Sequence, residues 1–294
     1  MRHHIKRQPQ DIGMTTIQAL IMAFLQGVTE LFPISSLGHA VILPALLHWN
    51  LDERGITFLP FLVMLHVGTA AALLAYFWRD WLALAQGAVG ATDRLRMRES
   101  RYIIGLIVIA TIPALVVGKL LEQPLRVLFG SPLEAAFFLV VNGVILLVAD
   151  RLRSRLPEQA DRPIANLSIA DALVVGCFQC LAFLPGISRS GATMTGGLLR
   201  GVSHQTAARF SFLIALPVIL AATASQLLTL HRAHVGFASL QPAAIGALVA
   251  GITAWASTAF LMRYFRDHEA WALRPFALYS IVAGVAAIGA LTWL

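Results

Sequence analysis

Long apolar runs broken by short polar stretches set the layout of this chain. Met14 to Leu31 is apolar, stops at Pro33, restarts after Gly38 and runs to about Leu47. Each arm is too short or too interrupted to cross a hydrocarbon core, which takes ~20 helical residues, so the pattern predicts a re-entrant helical hairpin. Phe58 to Trp78 then reads as a spanning helix closed by Arg79 and Asp80, with a loop to Arg101 that carries Arg94, Arg96 and Arg98. Tyr102 to Leu121 spans again, kinked at Pro113. The next span runs from Pro132 to about Ala149, and Asp150 to Pro163 is a polar, arginine-rich loop. A second hairpin is expected from Ile169 to Leu199, followed by spans at about Ala207 to Leu230, Pro242 to Met262 and Pro275 to Trp293.

The two hairpins read as copies. Displacing the sequence so that Gln26 falls on Gln179 also puts Ala19-Leu20 on Ala172-Leu173, Leu31 on Leu184, Ile34-Ser35 on Ile187-Ser188 and Gly38 on Gly191. This divides the chain into a first half, residues 1–162, and a second half, residues 163–294, each with one hairpin and three spans. An odd number of crossings inverts the second copy, and inverted repeats bring broken helices together near the midplane with the ligand site between them. The expected fold is therefore an all-α integral membrane protein, an inverted repeat with about six transmembrane helices plus two re-entrant helical hairpins.

Composition agrees. Hydrophobic residues make up 58% and charged residues 13% of the 294, with mean hydropathy +0.75, whereas soluble domains are about a quarter charged. The short alternating segments of a membrane β-barrel are absent. A net charge of +7 raises nucleic acid as a partner, but basic residues in a membrane protein gather on cytoplasmic loops, and that reading is preferred here. The loops holding Arg79 to Arg101, Arg151 to Arg162, Arg200, Arg209, Arg263, Arg266 and Arg274 carry roughly twice the Lys and Arg of the opposite face, which assigns them to the cytoplasm and both termini to the far side. The basic start, Arg2, Lys6 and Arg7, points the other way, and with no small-residue cleavage site after it this start is expected to be retained. Cys177 and Cys180 sit in an apolar run without further metal ligands and read as small apolar residues.

The polar residues of the hairpins carry the candidate chemistry. Glu30 is an ionisable group inside a membrane segment, which is costly and points to function as acid, base or cation ligand; a carboxylate reaching the interface is the plain alternative. Gln26 lies one turn earlier on the same face, to bind a substrate oxygen or to cap backbone. Arg189 offers a planar fork suited to phosphate, or a structural partner for Glu30. Ser188, Ser190, Gly191 and Thr193 surround it, and a helix starting near Ser190 would aim its positive end at the same anion. Ser35 and Ser36 are candidate nucleophiles, one of which would cap a helix beginning near Leu37. His39, one turn beyond Ser36, could take the serine proton or attack phosphorus itself. His66 lines a cavity or bonds a backbone carbonyl. A carboxylate, a hydroxyl, an imidazole and an arginine beside glycine-rich turns form a set suited to phosphoryl transfer.

At these residues the chain resembles the bacitracin-resistance undecaprenyl-diphosphate phosphatase family. The resemblance covers nearly the whole length and rests on Gln26-x-x-x-Glu30, Pro33-x-Ser35-Ser36-x-Gly38-His39 and Pro185-Gly186-x-Ser188-Arg189-Ser190-Gly191-Ala192-Thr193. It implies removal of the terminal phosphate of undecaprenyl diphosphate, recycling the cell-wall lipid carrier in a bacterial cytoplasmic (inner) membrane, and bacitracin resistance when the enzyme is abundant. It further implies a divalent cation, Mg2+ or Ca2+, bound in part by Glu30, and essential roles for Glu30, Ser36, His39 and Arg189. Gln26, Ser35, Ser188, Ser190, Gly191 and Thr193 are then the substrate-binding set, in a site open to the extracytoplasmic side. The chain departs from the family pattern at Gln26, often a glutamate; at Leu37, usually a small hydroxyl residue; and at Arg209 and His204, where a glutamate and an arginine are common. The expected partners are a polyprenyl diphosphate and membrane lipid, not nucleic acid, and the pattern leaves a homodimer open. A transporter or flippase of a phosphorylated polyprenyl lipid is the competing class, which an inverted repeat would equally suggest.

Overall fold

A computed structural model describes residues 14–49, 51, 58–121, 131–155, 162–232 and 241–293. Regular structure among them is entirely helical. The helices are α1 (Thr16–Thr29), α2 (Ser36–Leu46), α3 (Phe58–Tyr76), α4 (Trp78–Ala88), α5 (Arg94–Leu120), α6 (Pro132–Arg153), α7 (Ile169–Gln179), α8 (Arg189–Leu199), α9 (His204–Arg232), α10 (Gln241–Asp267) and α11 (Arg274–Trp293), with short 3-10 turns at Ile164–Asn166 and Cys180–Phe183. Their starts follow from the sequence. Thr15 and Gln18 form a capping box at α1, Ser131 caps α6 with Pro132 in its first turn, and Ser168 and Asp171 form a second box at α7.

Five helices, α5, α6, α9, α10 and α11, are long and apolar enough to cross a membrane, and a sixth span is made by α3 if it is taken together with α4. Each of the five leaves more than half of its most apolar stretch uncovered by protein. Those uncovered faces are rich in side chains such as Ile245, Leu248, Ile252 and Val282, which in a multi-pass membrane protein face lipid. α1, α2 and α7 are shorter. Together with α8 they are the arms of the two hairpins.

Two expectations need correction. The stretch from Arg79 to Arg101 is mostly helix: the chain bends by 74° after Tyr76 and continues as α4. That helix is amphipathic, with Leu84 and Gly87 buried and Arg79 stacked on the exposed Trp78. α5 then begins at Arg94, well before Tyr102, because Asp93 caps it through the N–H groups of Leu95 and Arg96. Arginines end an apolar stretch but not a helix, since their long stems let the helix project into water. The basic start at Arg2, Lys6 and Arg7 lies outside the described residues.

Neighbouring helices pair in a set pattern. α6 packs along α11 and α3 along both α10 and α9; α1 lies on α10 and α7 on α5; α2 touches α6 and α11, while α8 touches α6 and α9. Close approach depends on small residues. A Cβ on Gly68 would stand 2.1 Å from the carbonyl oxygen of Ala247, and one on Gly143 2.5 Å from that of Ala277. α10 and α11, although consecutive, meet chiefly near the turn between them, where Tyr264 and Phe265 pack on Phe276, and among the described residues α5 and α6 share little contact.

Candidate active site

The two hairpins turn differently at their apices, with the positive φ at Ser35 in the first and at Gly186 in the second, but the helices that follow match. α2 and α8 begin and end with the same displacement that aligns the sequences, Ser36 with Arg189 and Leu46 with Leu199. Ser35 is the N-cap of α2 and accepts from the Gly38 N–H at 3.2 Å; Ser188 is the N-cap of α8 and accepts from the Gly191 N–H at 3.2 Å. The tips touch. Gly186, at φ +104°, has no room for a Cβ, which would meet the Ala135 carbonyl oxygen at 2.2 Å, and a Cβ on Gly38 would lie 2.9 Å from Gly186 itself.

The second hairpin grips the first by its backbone. Ser188 and Ser190 both donate their hydroxyls to the Phe32 carbonyl, at 3.2 and 3.0 Å. Asn142 of α6, almost fully buried, donates Nδ2 to the Pro33 carbonyl at 2.9 Å and accepts the Ser188 N–H on Oδ1 at 2.9 Å. One amide thus satisfies a carbonyl of one tip and an N–H of the other, groups that lipid could not hydrate. Sequence reasoning passed over Asn142. The signal was there, since a lone amide amid Leu139-Val140-Val141 and Gly143-Val144 is expensive in a spanning helix without partners.

Within this clasp the acidic side chain meets the basic one. Arg189 Nη2 lies 3.2 Å from Glu30 Oε1, both side chains being largely buried. The other oxygen, Oε2, accepts from Gln26 Nε2 at 3.1 Å and from the Ser36 hydroxyl at 2.7 Å. Gln26 and Glu30 meet because they stand four apart on α1. Arg189 Nη1 is buried and has no hydrogen-bond partner among the described residues. A guanidinium N–H left unpaired at that depth is costly unless something anionic comes to it.

The imidazole does not join this group as expected. His39 Nδ1 is 2.6 Å from the Ser35 carbonyl one turn back, so that nitrogen carries the hydrogen. Nε2 then accepts from the Tyr279 hydroxyl of α11 at 2.8 Å, with the two rings stacked. The spacing that suggested a serine–histidine pair turns His39 onto the α11 side of α2, and the Ser36 proton points to Glu30 instead. Thr193 is likewise turned away: its hydroxyl bonds the Arg189 and Ser190 carbonyls and, at 2.7 Å, Ser211 of α9. Gly191 is buried where a Cβ would press on Pro33 at 3.3 Å. His66 bonds the Leu62 carbonyl at 2.8 Å.

A second polar knot lies at the open end of the other hairpin. Asp171 accepts from Arg200 Nε at 2.6 Å, from the Ser168 N–H at 2.9 Å and from Arg162. Burial pushes its carboxyl up, but these donors outweigh it and hold the pKa at about 2.

Comparison with known proteins decides the family. The description "Bacitracin resistance protein BacA" matches residues 19–286. The chain belongs to the BacA family. It is 57% identical over 291 residues to a protein of Granulibacter bethesdensis named undecaprenyl-diphosphatase, covering 96% of this chain and 98% of that one. A protein of the same name from Gluconacetobacter diazotrophicus is 58% identical over 92% of this chain and 95% of its own length. A more distant relative, again so named, comes from Mycolicibacterium paratuberculosis at 40% identity over 96% of this chain and 98% of its own.

Proposed function

We infer that this BacA family member is an undecaprenyl-diphosphatase, which hydrolyses undecaprenyl diphosphate to undecaprenyl phosphate and inorganic phosphate. The names of its relatives give the substrate. The observation that carries the chemistry is the conjunction at Glu30: a serine hydroxyl hydrogen-bonded to one carboxylate oxygen, an arginine on the other, and a free guanidinium N–H beside them.

In this reading the terminal phosphoryl group lies against Arg189, whose unpaired Nη1 and the start of α8 favour its negative charge. Ser36 attacks phosphorus while Glu30 takes its proton, undecaprenyl phosphate leaves, and water then cleaves the phosphoserine with the same carboxylate as base. Ser36 is favoured over the other candidates by their engagements. Ser35 caps α2, and both ring nitrogens of His39 are held, by Ser35 and Tyr279. Gln26 orients the Glu30 oxygen that faces Ser36.

A divalent cation fits this donor set in one way. Among the described residues no three His, Cys, Asp or Glu side chains are arranged to hold a metal ion, and the pair Glu30 and Gln26 suits Mg2+, which is held through one or two carboxylates together with substrate phosphates, better than a protein-built Ca2+ cage. Glu30, with the Gln26 carbonyl oxygen, would hold it. When bound, the ion would neutralise charge on the diphosphate.

The two halves, 1–162 and 163–294, are read as inverted copies. Exchanging α1 with α7, α2 with α8, α3 with α9, α5 with α10 and α6 with α11 turns the α1–α10 contact into α7–α5 and α2–α11 into α8–α6, and maps α3–α9 and α6–α11 onto themselves, which supports an approximate two-fold, although the α2–α6 and α8–α9 contacts have no comparable counterpart among the described residues. With the arginine-rich loops in the cytoplasm, the protein sits in the bacterial inner membrane and the first hairpin opens extracytoplasmically. All the groups used come from one chain, so the reading requires no dimer.

The test is phosphate release from undecaprenyl diphosphate by purified protein in detergent, where no two compartments exist. Wild type is expected to release phosphate and Arg189→Ala to lose it while remaining folded. Substrate binding without release would instead favour a transporter.

A further inference from the structure

The first hairpin carries its backbone strain on a serine. Ser35 has φ +68° and ψ 104°, a conformation that residues other than glycine rarely adopt, and it is almost fully buried. The second hairpin places its positive φ on Gly186, where the missing Cβ removes the clash, and its own serine cap, Ser188, has an ordinary φ of −79°. A residue held in a sparsely populated region persists only where its surroundings over-determine it.

Two side-chain bonds hold Ser35. Its hydroxyl accepts the Gly38 N–H at 3.2 Å, and His39 Nδ1 donates to its carbonyl oxygen at 2.6 Å. The hydroxyl bond has a twin in the second hairpin, but the imidazole does not: the displacement that puts Ser35 on Ser188 puts His39 on Ala192. The histidine thus occurs in the copy whose serine is strained. Its ring is fixed in turn by α11, where the Tyr279 hydroxyl donates to Nε2 at 2.8 Å and the two rings stack, 5.7 Å between centroids and 9° between planes. A donor at Nε2 keeps the hydrogen on Nδ1, the nitrogen that reaches Ser35. The Ser35 carbonyl and the Ser36 amide belong to one rigid peptide plane. Whatever fixes that carbonyl therefore fixes the start of α2, and with it the hydroxyl that meets Glu30 at 2.7 Å.

We propose that Tyr279 and His39 are positioning residues: together they clamp the Ser35 carbonyl and so aim the Ser36 hydroxyl at Glu30, and neither ring transfers a proton or attacks phosphorus. This rests on the phosphatase reading, in which Ser36 is the nucleophile. Tyr279 acts on the reaction only through His39, so its effect should vanish when the imidazole is gone.

The experiment measures kcat and KM for phosphate release from undecaprenyl diphosphate, together with melting in detergent, in the purified full-length protein. His39→Ala is expected to lower kcat about a hundredfold, as misplacement of a reacting group does. His39→Asn puts an N–H donor as many bonds from Cα as Nδ1 but cannot titrate, and it should recover at least about tenfold of that loss. Tyr279→Phe keeps the stacked ring and should lower kcat about fivefold, the worth of one neutral hydrogen bond, with KM within about twofold of wild type. In the His39→Ala background it should cost nothing further. Tyr102→Phe, which removes a 2.7 Å hydroxyl bond to the Leu167 carbonyl, should leave kcat as in wild type. His39→Asn no more active than His39→Ala, with both melting like wild type, would overturn the proposal in favour of a proton-transferring or nucleophilic imidazole. An undiminished kcat in Tyr279→Phe would overturn it as well, and this variant decides the matter if either His39 variant fails to fold. No phosphate release by wild type would instead overturn the phosphatase reading.

Discussion

The Ser36 hydroxyl is held by the carboxylate of Glu30, at 2.7 Å, and not by the imidazole of His39. If serine and acid act as one unit, Ser36→Ala and Glu30→Gln should each lower kcat for phosphate release by about a thousandfold, within the range for loss of an acid–base group. The double variant should be little worse than either single one, because groups that act together are not additive. A double loss equal to the product of the single losses would separate their roles.

Asn142 predicts a coupled loss of stability and rate. Asn142→Leu keeps the volume but orphans the Pro33 carbonyl and the Ser188 N–H, each at a cost of about 1–3 kcal/mol. Thermal unfolding in detergent should move down by several degrees and kcat should fall at least about tenfold, since the acid and the arginine approach from opposite sides of that amide. Unaltered melting would remove the clasp from the account.

Asp171 gives a pH prediction with a definite sign. Its carboxyl is held at about 2 in the folded chain, below the usual ~3.9 of an unfolded one. The stabilisation, on the order of 2 kcal/mol, is therefore fully present above about pH 4 and is lost as pH falls through about 2. Asp171→Asn should melt lower than wild type at pH 7, and the difference should hold down to about pH 4.5 and shrink below it. A difference that grows on acidification would contradict the assignment.

Cation dependence should run through Glu30. Chelation is expected to reduce wild-type phosphate release, and Mg2+ to restore it better than Ca2+. The residual activity of Glu30→Gln should respond to neither, and a full Mg2+ response in that variant would remove Glu30 from the cation's ligands.

Much of this was legible from spacing alone. Breaks at Pro33 and Pro185 marked two hairpins, the four-residue interval joined Gln26 to Glu30, and the repeat brought Glu30 to Arg189. What spacing could not supply was direction. His39 stands one turn from Ser36, yet its nearest acceptor is the carbonyl of its own helix, and its other nitrogen finds Tyr279 from a helix some 240 residues on. Asn142 and Tyr279 are single residues in apolar helices and repeat nothing, so only the folded chain identifies their partners. α4 was hidden for another reason: hydropathy detects helices that cross, and this one bends away from the crossing direction.

The grip of Ser188 and Ser190 on the Phe32 carbonyl also bears on how the protein is made. A ribosome delivers Phe32 and Pro33 long before the residues that satisfy their carbonyls, so an early-inserted first tip would leave bare peptide groups in oil. Those bonds can form only once the second hairpin exists, which makes the centre of the molecule the last part of it to be completed.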